Sequence, residues 1–503
     1  MLSRVGDKRA YRKAQKRLRK TLSGSDWGRL RKDGRLKSAL AKMGLLAADR
    51  AAGVIASLYS RLGRPATDPA VLVRSFVLMP HLGYTSVQRW HDALESDALL
   101  RYLVGVAEGE VPSVGCHYDL VNRLTGDDPH MDELWPAGKN SREGKAAYRE
   151  LKKGEKWENY DEGDTLELKA RYWDGASCDA DRWTLPLERL FDLVAVAPSV
   201  ARYPVGDGEL VLSGDGSCLP IHASPFGNRV LEDGEAPDGR THRYTAPDAD
   251  IGWDSHETVY FFGFALYNIS WHSEELGIDL PLFIAQRVAS QHDALTLMSA
   301  FSHMVDVNPA LLPDYLCHDS AADAAHIFQL LRHRGTVPII DWNPRHADKD
   351  NPYAGYKVNG GPKGADGQPL ERLNERGVPV CAIGDEMCRD GYDRSKMATK
   401  YRCPVARGNR KSCPYWGVCT KSPYGRVVKT YDKTNYKLFG PVPHGSDEWK
   451  TIYKNRTCTE RVNNRILNDY MLQHLTCRNG RKHYFFEIMA GINVHLDAWI
   501  KTG

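Results

Sequence analysis

Apolar residues recur at helical spacing through residues 41–125, and the pattern predicts helices there. Thr67-Asp68-Pro69 supplies a capping residue and a first-turn proline, and 70–79 follows as a nearly continuous apolar run. After a turn at Gly83, residues 86–91 read as a second helix. Pro112-Ser113 opens a third through Tyr118, Leu120, Val121 and Leu124. Three short helices behind a basic arm fit a helical DNA-binding region of helix-turn-helix type, and a plain helical bundle fits them as well. Residues 126–180 are charged and rich in Gly, Asp and Lys, which reads as a linker or poorly packed insert; a helix is predicted at 184–196.

From residue 209 the texture changes. Strands are predicted at 209–215, 258–271, 280–285, 314–318 and 337–341, with a helix at 292–304. A second helix opens at the capping-box-like Ser320-x-x-Asp323, buries Ala324, Ile327, Phe328 and Leu331, and stops at Arg332-His333-Arg334-Gly335. Strands alternating with helices predict an α/β fold, a mixed sheet flanked by helices. Residues 346–440, rich in Gly, Pro, Lys and Cys, interrupt it, and a long amphipathic helix is predicted at 447–475. The chain then divides into a basic arm and helical region (1–125), a charged linker and helix (126–205), the first part of an α/β core (206–345), a Cys-rich basic insertion (346–440) and the rest of the core (441–503).

Composition narrows the class. The 503 residues are 42% hydrophobic and 26% charged, globular values that exclude a disordered chain, a collagen-like repeat or a coiled-coil rod. No charge-free apolar run approaches ~18 residues, so no membrane span is expected. The first residues lack an apolar signal, so a cytoplasmic, nucleoid-associated protein is expected. The net charge of +4 hides an asymmetry. Residues 1–40 hold fourteen Lys/Arg and three acids, and residues 400–440 hold ten against one. Two basic blocks on a mildly acidic body point to a polyanion partner.

Three acids stand at informative places. Asp215 ends the first strand, Asp319 follows the fourth, and Glu460 lies on the long helix, sharing a face with Tyr453, Arg456 and Asn464. Carboxylates converging from distant sequence repel one another unless cations lie between them. Mg²⁺ suits such oxygens, and two ions ~3.5–4 Å apart can clamp both oxygens of an in-line phosphoryl displacement. Arg456 would pair with a phosphate. Spacing alone does not single out this trio among 64 acids.

Several stretches together resemble one family. Ser213-Gly214-Asp215-Gly216-Ser217, the 260–266 strand, His292-Asp293, His318-Asp319-Ser320-Ala321-Ala322-Asp323, the 338–345 stretch and Tyr453-x-x-Arg456-x-x-x-Glu460 occur in the order found in DDE transposases of bacterial insertion sequences. They resemble the branch marked by a Tyr-x2-Arg-x3-Glu-x6-Lys signature. The leader, with Arg64-Pro65, Asp68-Pro69 and Pro112-Ser113, is similar too. The resemblance implies an RNase H-like core, with the Cys-rich insertion placed before the last catalytic helix. It implies Asp215, Asp319 and Glu460 as catalytic ligands of two Mg²⁺ (or Mn²⁺) ions, with Asp215 between them. Tyr453 and Arg456 would position the flanking phosphate. The expected activity is cleavage at transposon ends and strand transfer into target DNA. The expected partners are double-stranded DNA, as terminal inverted repeats and target, and a second copy of the chain on that DNA. The signature's final Lys is Leu467 here, so its hold on DNA is missing or falls to Arg461, Arg465 or a lysine of 400–440. A nuclease without strand transfer and a transposase-derived DNA-binding regulator are the alternatives.

Five of the 11 cysteines lie close together: Cys381, Cys388, Cys403, Cys413 and Cys419. Four could hold a structural Zn²⁺, with Cys388, Cys403, Cys413 and Cys419 the first choice and Cys381 the substitute. The absence of a tight Cys-x2-Cys pair leaves metal-free thiols as the other reading. His318, Trp342, Trp416 and Trp449 are expected to pack, and Asp248, Asp250 and Asp254 to sit in a solvated loop.

Overall fold

The segment following Asp68 has apolar side chains on every side, and a helix of that kind must be enclosed by others. In the computed structural model it is a helix in which every residue from Pro69 through Pro80 except Val71 is buried. The structure describes residues 2, 5–126, 135–136, 181–230, 241–343 and 372–503, apart from positions 61, 64, 207, 292, 375 and 382. The enclosing helices are α1 (Lys8–Leu18), α2 (Gly24–Lys32), α3 (Gly34–Leu45), α4 (Ala52–Ser57), α6 (Val87–Ser96), α7 (Ala98–Val104) and α8 (Val114–Thr125), with α5 (Pro69–His81) at the centre. The predicted caps operate: Asp68 accepts from the Ala70 N–H at 2.9 Å, and Ser113 Oγ from the Cys116 N–H at 3.2 Å.

The basic segment is not an extended arm. Tyr11, Leu18, Leu30, Leu36 and Ala39 fall on one side of its helices and are buried. Tyr11 Oη donates to the Leu103 carbonyl at 2.8 Å, and the Arg74 guanidinium lies 4.7 Å above the Tyr11 ring. Arg12, Lys13, Lys16, Arg19 and Lys20 stay on the opposite side, at the surface.

After α9 (Leu185–Phe191), which runs on through a π turn at Asp192–Val196, the sheet begins. Its strands are β1 (Val211–Pro220), β2 (Asp250–Asp254), β3 (Val259–Ser273), β4 (Ile278–Val288), β5 (Tyr315–His318) and β6 (Val337–Ile340). The order across the sheet is β4–β3–β1–β5–β6. β3 is antiparallel to β1 and β4, and β5 and β6 run parallel to β1. β2 pairs with the first residues of β3, so the expected solvated loop at 248–254 is partly strand. Asp248 is drawn inward because its carboxylate accepts from the Gly480 N–H at 2.8 Å.

Helices α10 (Asp293–Val307) and α11 (Ala325–His333) flank the sheet. The capping box at Ser320 does not form: Ser320–Ala322 is a 3-10 turn, and α11 starts at Ala325 without a side-chain cap. Asp323 is instead buried, accepting from the Asn343 N–H and Lys437 Nζ, each at 2.7 Å.

Between β6 and the next helix lies a separate antiparallel sheet of β7 (Cys388–Asp393), β8 (Ala398–Arg402) and β9 (Val427–Tyr431). Much of the start of this zone, like most of 126–180, is outside the described residues. The expected long helix is broken into α12 (Asp447–Tyr453), a 3-10 turn at Lys454–Arg456, α13 (Thr457–Asn464) and a π turn at Arg465–Asp469. At the first break Asn455 Nδ2 donates to the Ile452 carbonyl at 2.9 Å, competing for a helix acceptor.

The last helix, α14 (Gly480–Thr502), joins the helical region to the sheet. Asn493 Nδ2 donates to the Val77 carbonyl at 2.8 Å, and Tyr484 Oη to the Ile284 carbonyl of β4 at 2.8 Å. Lys42, fully buried, reaches Asp497 at 2.7 Å and Asn493 at 2.9 Å. No described helix is long and apolar enough to cross a membrane.

Candidate active site

Strand alternation decides what surrounds Asp215. Gly214 and Gly216 face one side of β1 while Ser213 and Asp215 face the other. The glycine side is tight: a Cβ on Gly214 would stand 2.5 Å from Tyr267 Oη, and one on Gly216 would stand 2.8 Å from Asp293 Oδ1. The opposite side receives the glutamate helix. Ser213 Oγ donates to the Arg456 carbonyl at 3.1 Å, and Thr459 Oγ1 donates to the Ser213 carbonyl at 3.0 Å. Asp215 lies within β1, not at its end, just past the Val211–Ser213 stretch that pairs with β5.

Asp319 follows β5 immediately. Its carboxylate accepts from the Ala321 N–H at 2.9 Å and contacts His318 Nδ1 at 2.8 Å. Burial would raise its pKa, but the His318 contact, the Ala321 N–H and Arg456 outweigh it and hold the carboxyl below its ordinary value. Glu460 sits in the first turn of α13, about half exposed, with Arg456 at 2.7 Å. The Arg456 guanidinium lies 5.8 Å from the Tyr453 ring centre, and Tyr453 stacks on Trp449 at 4.4 Å.

Asp319 and Glu460 both act on Asp215. Asp215 is pushed up to about 6, first by burial; Asp319 and Glu460 raise it further, while His318 and Arg456 pull the other way. A carboxylate so destabilised marks a place where positive charge is favoured. Among the described residues, no group of three or more His, Cys, Asp or Glu side chains stands in metal-holding geometry. Arg456, seated on Glu460, is the cation now present. The donor set is nonetheless oxygen-rich and hard, and suits Mg²⁺ or Mn²⁺.

The pKa of Asp215 sets a stability test. Its folded value lies above the unfolded one, so the cost of ionising it is absent at pH 4 and builds as pH rises through 6. In chelator, Asp215→Asn is expected to stabilise the protein at pH 7.5 by ~2 kcal/mol and to bring no gain at pH 4. Urea melts at the two pH values measure it; equal stability of the two proteins at pH 7.5 rejects the buried-charge account.

The other predicted residues separate. Arg461 makes a two-point contact with Asp279 of β4, at 2.6 and 2.7 Å. Arg465 reaches Asp497 at 2.6 Å. Each ties the glutamate helix to its neighbours through an acid, and Arg461 remains about half exposed. Leu467 packs against the core, which explains an apolar residue there. Trp342 and Trp449 pack, as expected, in a stack with His444, Trp342 and His444 being 4.0 Å apart. His292 lies outside the described residues. Cys388, on β7 opposite Arg402, is not among the cysteines that line the cavity shared by Cys381, Cys403, Cys413 and Cys419.

Two groups near Asp215, Tyr267 and Arg287, escaped the sequence reading. Tyr267 Oη is buried without a hydrogen-bond partner, and its ring stacks 6.0 Å from that of His318, which packs as expected. Arg287 pairs with Asp293, and burial lowers its pKa to about 10. Its signal was a Gln-Arg pair closing an otherwise apolar strand.

Residues 32–116 match a family model described as Transposase domain (DUF772). The chain therefore carries a transposase domain, and its resemblance to insertion-sequence transposases has that support. The match covers α3 to the start of α8 and does not reach β1, β5 or α13. No curated protein and no solved structure gives a significant match to the chain.

Proposed function

We propose that this protein is a DDE transposase that cleaves DNA at transposon ends and transfers the freed 3′ ends into target DNA. The observation that carries the reading is that three separate parts of the chain meet beside Asp215: β5, which leads into Asp319, pairs with β1 at Ser213, and the helix that holds Glu460 is bonded to Ser213 through Arg456 and Thr459. The sheet order, three antiparallel strands followed by two parallel to the first, supports an RNase H-like core.

Asp215, Asp319 and Glu460 would hold two Mg²⁺ (or Mn²⁺) ions, whose contribution when bound is activation of the attacking oxygen and stabilisation of the leaving one. The chain's own part is positioning. His318 fixes Asp319, while Ser213 and Thr459 lock the glutamate helix against β1. Arg456 exchanges Glu460 for a DNA phosphate, and Tyr453 supports that guanidinium from below. The exposed basic side of α1 and α2 would carry the terminal repeats, and two chains would pair on DNA to join two ends.

The test is a joining reaction. Labelled end DNA, Mg²⁺ and a target plasmid are incubated with the protein, and end-to-target products are expected. Nicking without joining would make the protein a nuclease, and binding without cleavage a regulator.

The basic side has its own measure. Replacing Arg12, Lys13, Lys16 and Lys20 together by Ala leaves Tyr11 and Leu18 in the core. The slope of log affinity against log salt is expected to become shallower by ~0.9 for each phosphate that these side chains no longer neutralise. An unchanged slope would move the DNA to another surface.

A further inference from the structure

Residues 403–426, between β8 and β9, contain no helix or strand and are rich in Lys and Arg, with no acid among them. Such a segment repels itself and buries little: Trp416 is 45% exposed and Val418 is 81% exposed. The apolar cluster beneath is small, made of Val378, Met387, Tyr401 and Val428 with Cys381 against them. A lobe of this composition lacks the core to hold one shape unaided.

Its turns nevertheless converge. Cys381 begins a turn closed by the Gly384 N–H on its carbonyl at 2.9 Å, and its own N–H donates to the Asp385 carbonyl at 2.8 Å. The Cys403 carbonyl accepts from the Arg407 N–H at 3.1 Å, the Cys413 carbonyl from the Trp416 N–H at 3.1 Å, and the Cys419 N–H donates to the Tyr415 carbonyl at 2.9 Å. These four cysteines line one cavity of about 30 Å³, room for a single small occupant. None of the ten described cysteines is in a disulfide.

We propose that Cys381, Cys403, Cys413 and Cys419 bind one structural Zn²⁺. Four sulfurs from separate turns suit the tetrahedral preference of zinc; in the structure they line the cavity without standing in metal-holding geometry, so binding draws the four turns together. Binding forms four Zn–S bonds and releases the thiol protons to solvent. The resulting negative charge lies beside Arg410 and Arg426, which line the same cavity, and Arg410 already stands in the field of Cys381 and Cys413. The ion joins the turn before β7 to the β8–β9 loop, and so supplies the order that the apolar cluster cannot. This site is independent of the catalytic acids.

The full chain, purified without chelator or metal-affinity resin, is expected to contain about one Zn²⁺ per chain, released by a mercurial. Exchange with Co²⁺ should give thiolate charge-transfer bands and the visible spectrum of a tetrahedral four-sulfur site. Cys381→Ser and Cys413→Ser should lower bound zinc to under about a tenth, while Cys388→Ser and Asp215→Ala retain it. A chain with no zinc and no such cobalt spectrum, or with these thiols in disulfides, overturns the proposal. So does loss of metal in Cys388→Ser with retention in Cys381→Ser. If the serine variants fail to fold, the cobalt spectrum of the unaltered chain decides.

Discussion

Asp215→Asn, Asp319→Asn and Glu460→Gln are each expected to slow end cleavage at least about a thousandfold, equivalent to ~4 kcal/mol in the barrier. The amides keep the shape of the side chains and remove the charge. A loss of that size therefore reports on charge held at the reacting phosphate, not on packing. Asp215 should be the most sensitive, since Asp319, Glu460, Arg456 and His318 all act on it. Any two changes together should cost little more than one, because residues acting as a unit are not additive. Binding to end DNA should persist in all three, as the exposed basic side chains of α1 and α2 are untouched. If one amide variant cut at a rate near that of the unaltered protein, its residue would leave the triad. If all three did, the proposed chemistry would be wrong at this site.

The elements dominated by local pattern were legible. The strands from β3 onward in the main sheet, the caps at Asp68 and Ser113 and the α10 helix fall within a few residues of expectation, because alternation, apolar runs and caps are local signals. Asp215, Asp319 and Glu460 are legible through the resemblance alone; their spacing does not single them out among 64 acids. What stayed hidden depends on partners far away in the chain. β2 reads as a polar loop until it pairs with the first residues of β3. Ser320-x-x-Asp323 reads as a cap until Asp323 is claimed by Lys437. The basic block reads as an arm because its buried side chains are few, yet Tyr11 and Leu18 suffice to fold α1 onto α7. Cys388 and Cys381 differ by a register that the strands, not the spacing, determine. The ion pairs of Arg461 with Asp279 and of Arg465 with Asp497 likewise join residues far apart in the chain.

Asp432→Ala is expected to destabilise the Cys-rich lobe by ~3–5 kcal/mol, the cost of stranding a buried charge. Asp432 is fully buried and Arg332 nearly so; they meet at 2.6 Å, and Tyr392 Oη donates to the same carboxylate oxygen at 2.6 Å. The trio fastens α11 to β7 and β9. The pair is not a strong net source of stability. Burial raises the Asp432 pKa in spite of the Tyr392 and Arg332 contacts, and Asp432 Oδ1 and Arg332 Nε have no partner. Removing one member leaves the largely buried Arg332 without its counter-charge, whereas removing both removes the penalty as well. The double variant Arg332→Met, Asp432→Leu should therefore regain most of the stability. Hydrogen exchange separates the local effect from the global one: Asp432→Ala should lose protection in β7–β9 while β1, β3 and β4 keep theirs. A single variant no weaker than a surface change, or a double variant as weak as the single, would show that the lobe is fastened to the sheet by other contacts. Because α12 and α13 follow directly from that lobe, a loosened β9 should also widen the positions open to Glu460 and lower cleavage without altering the acids themselves.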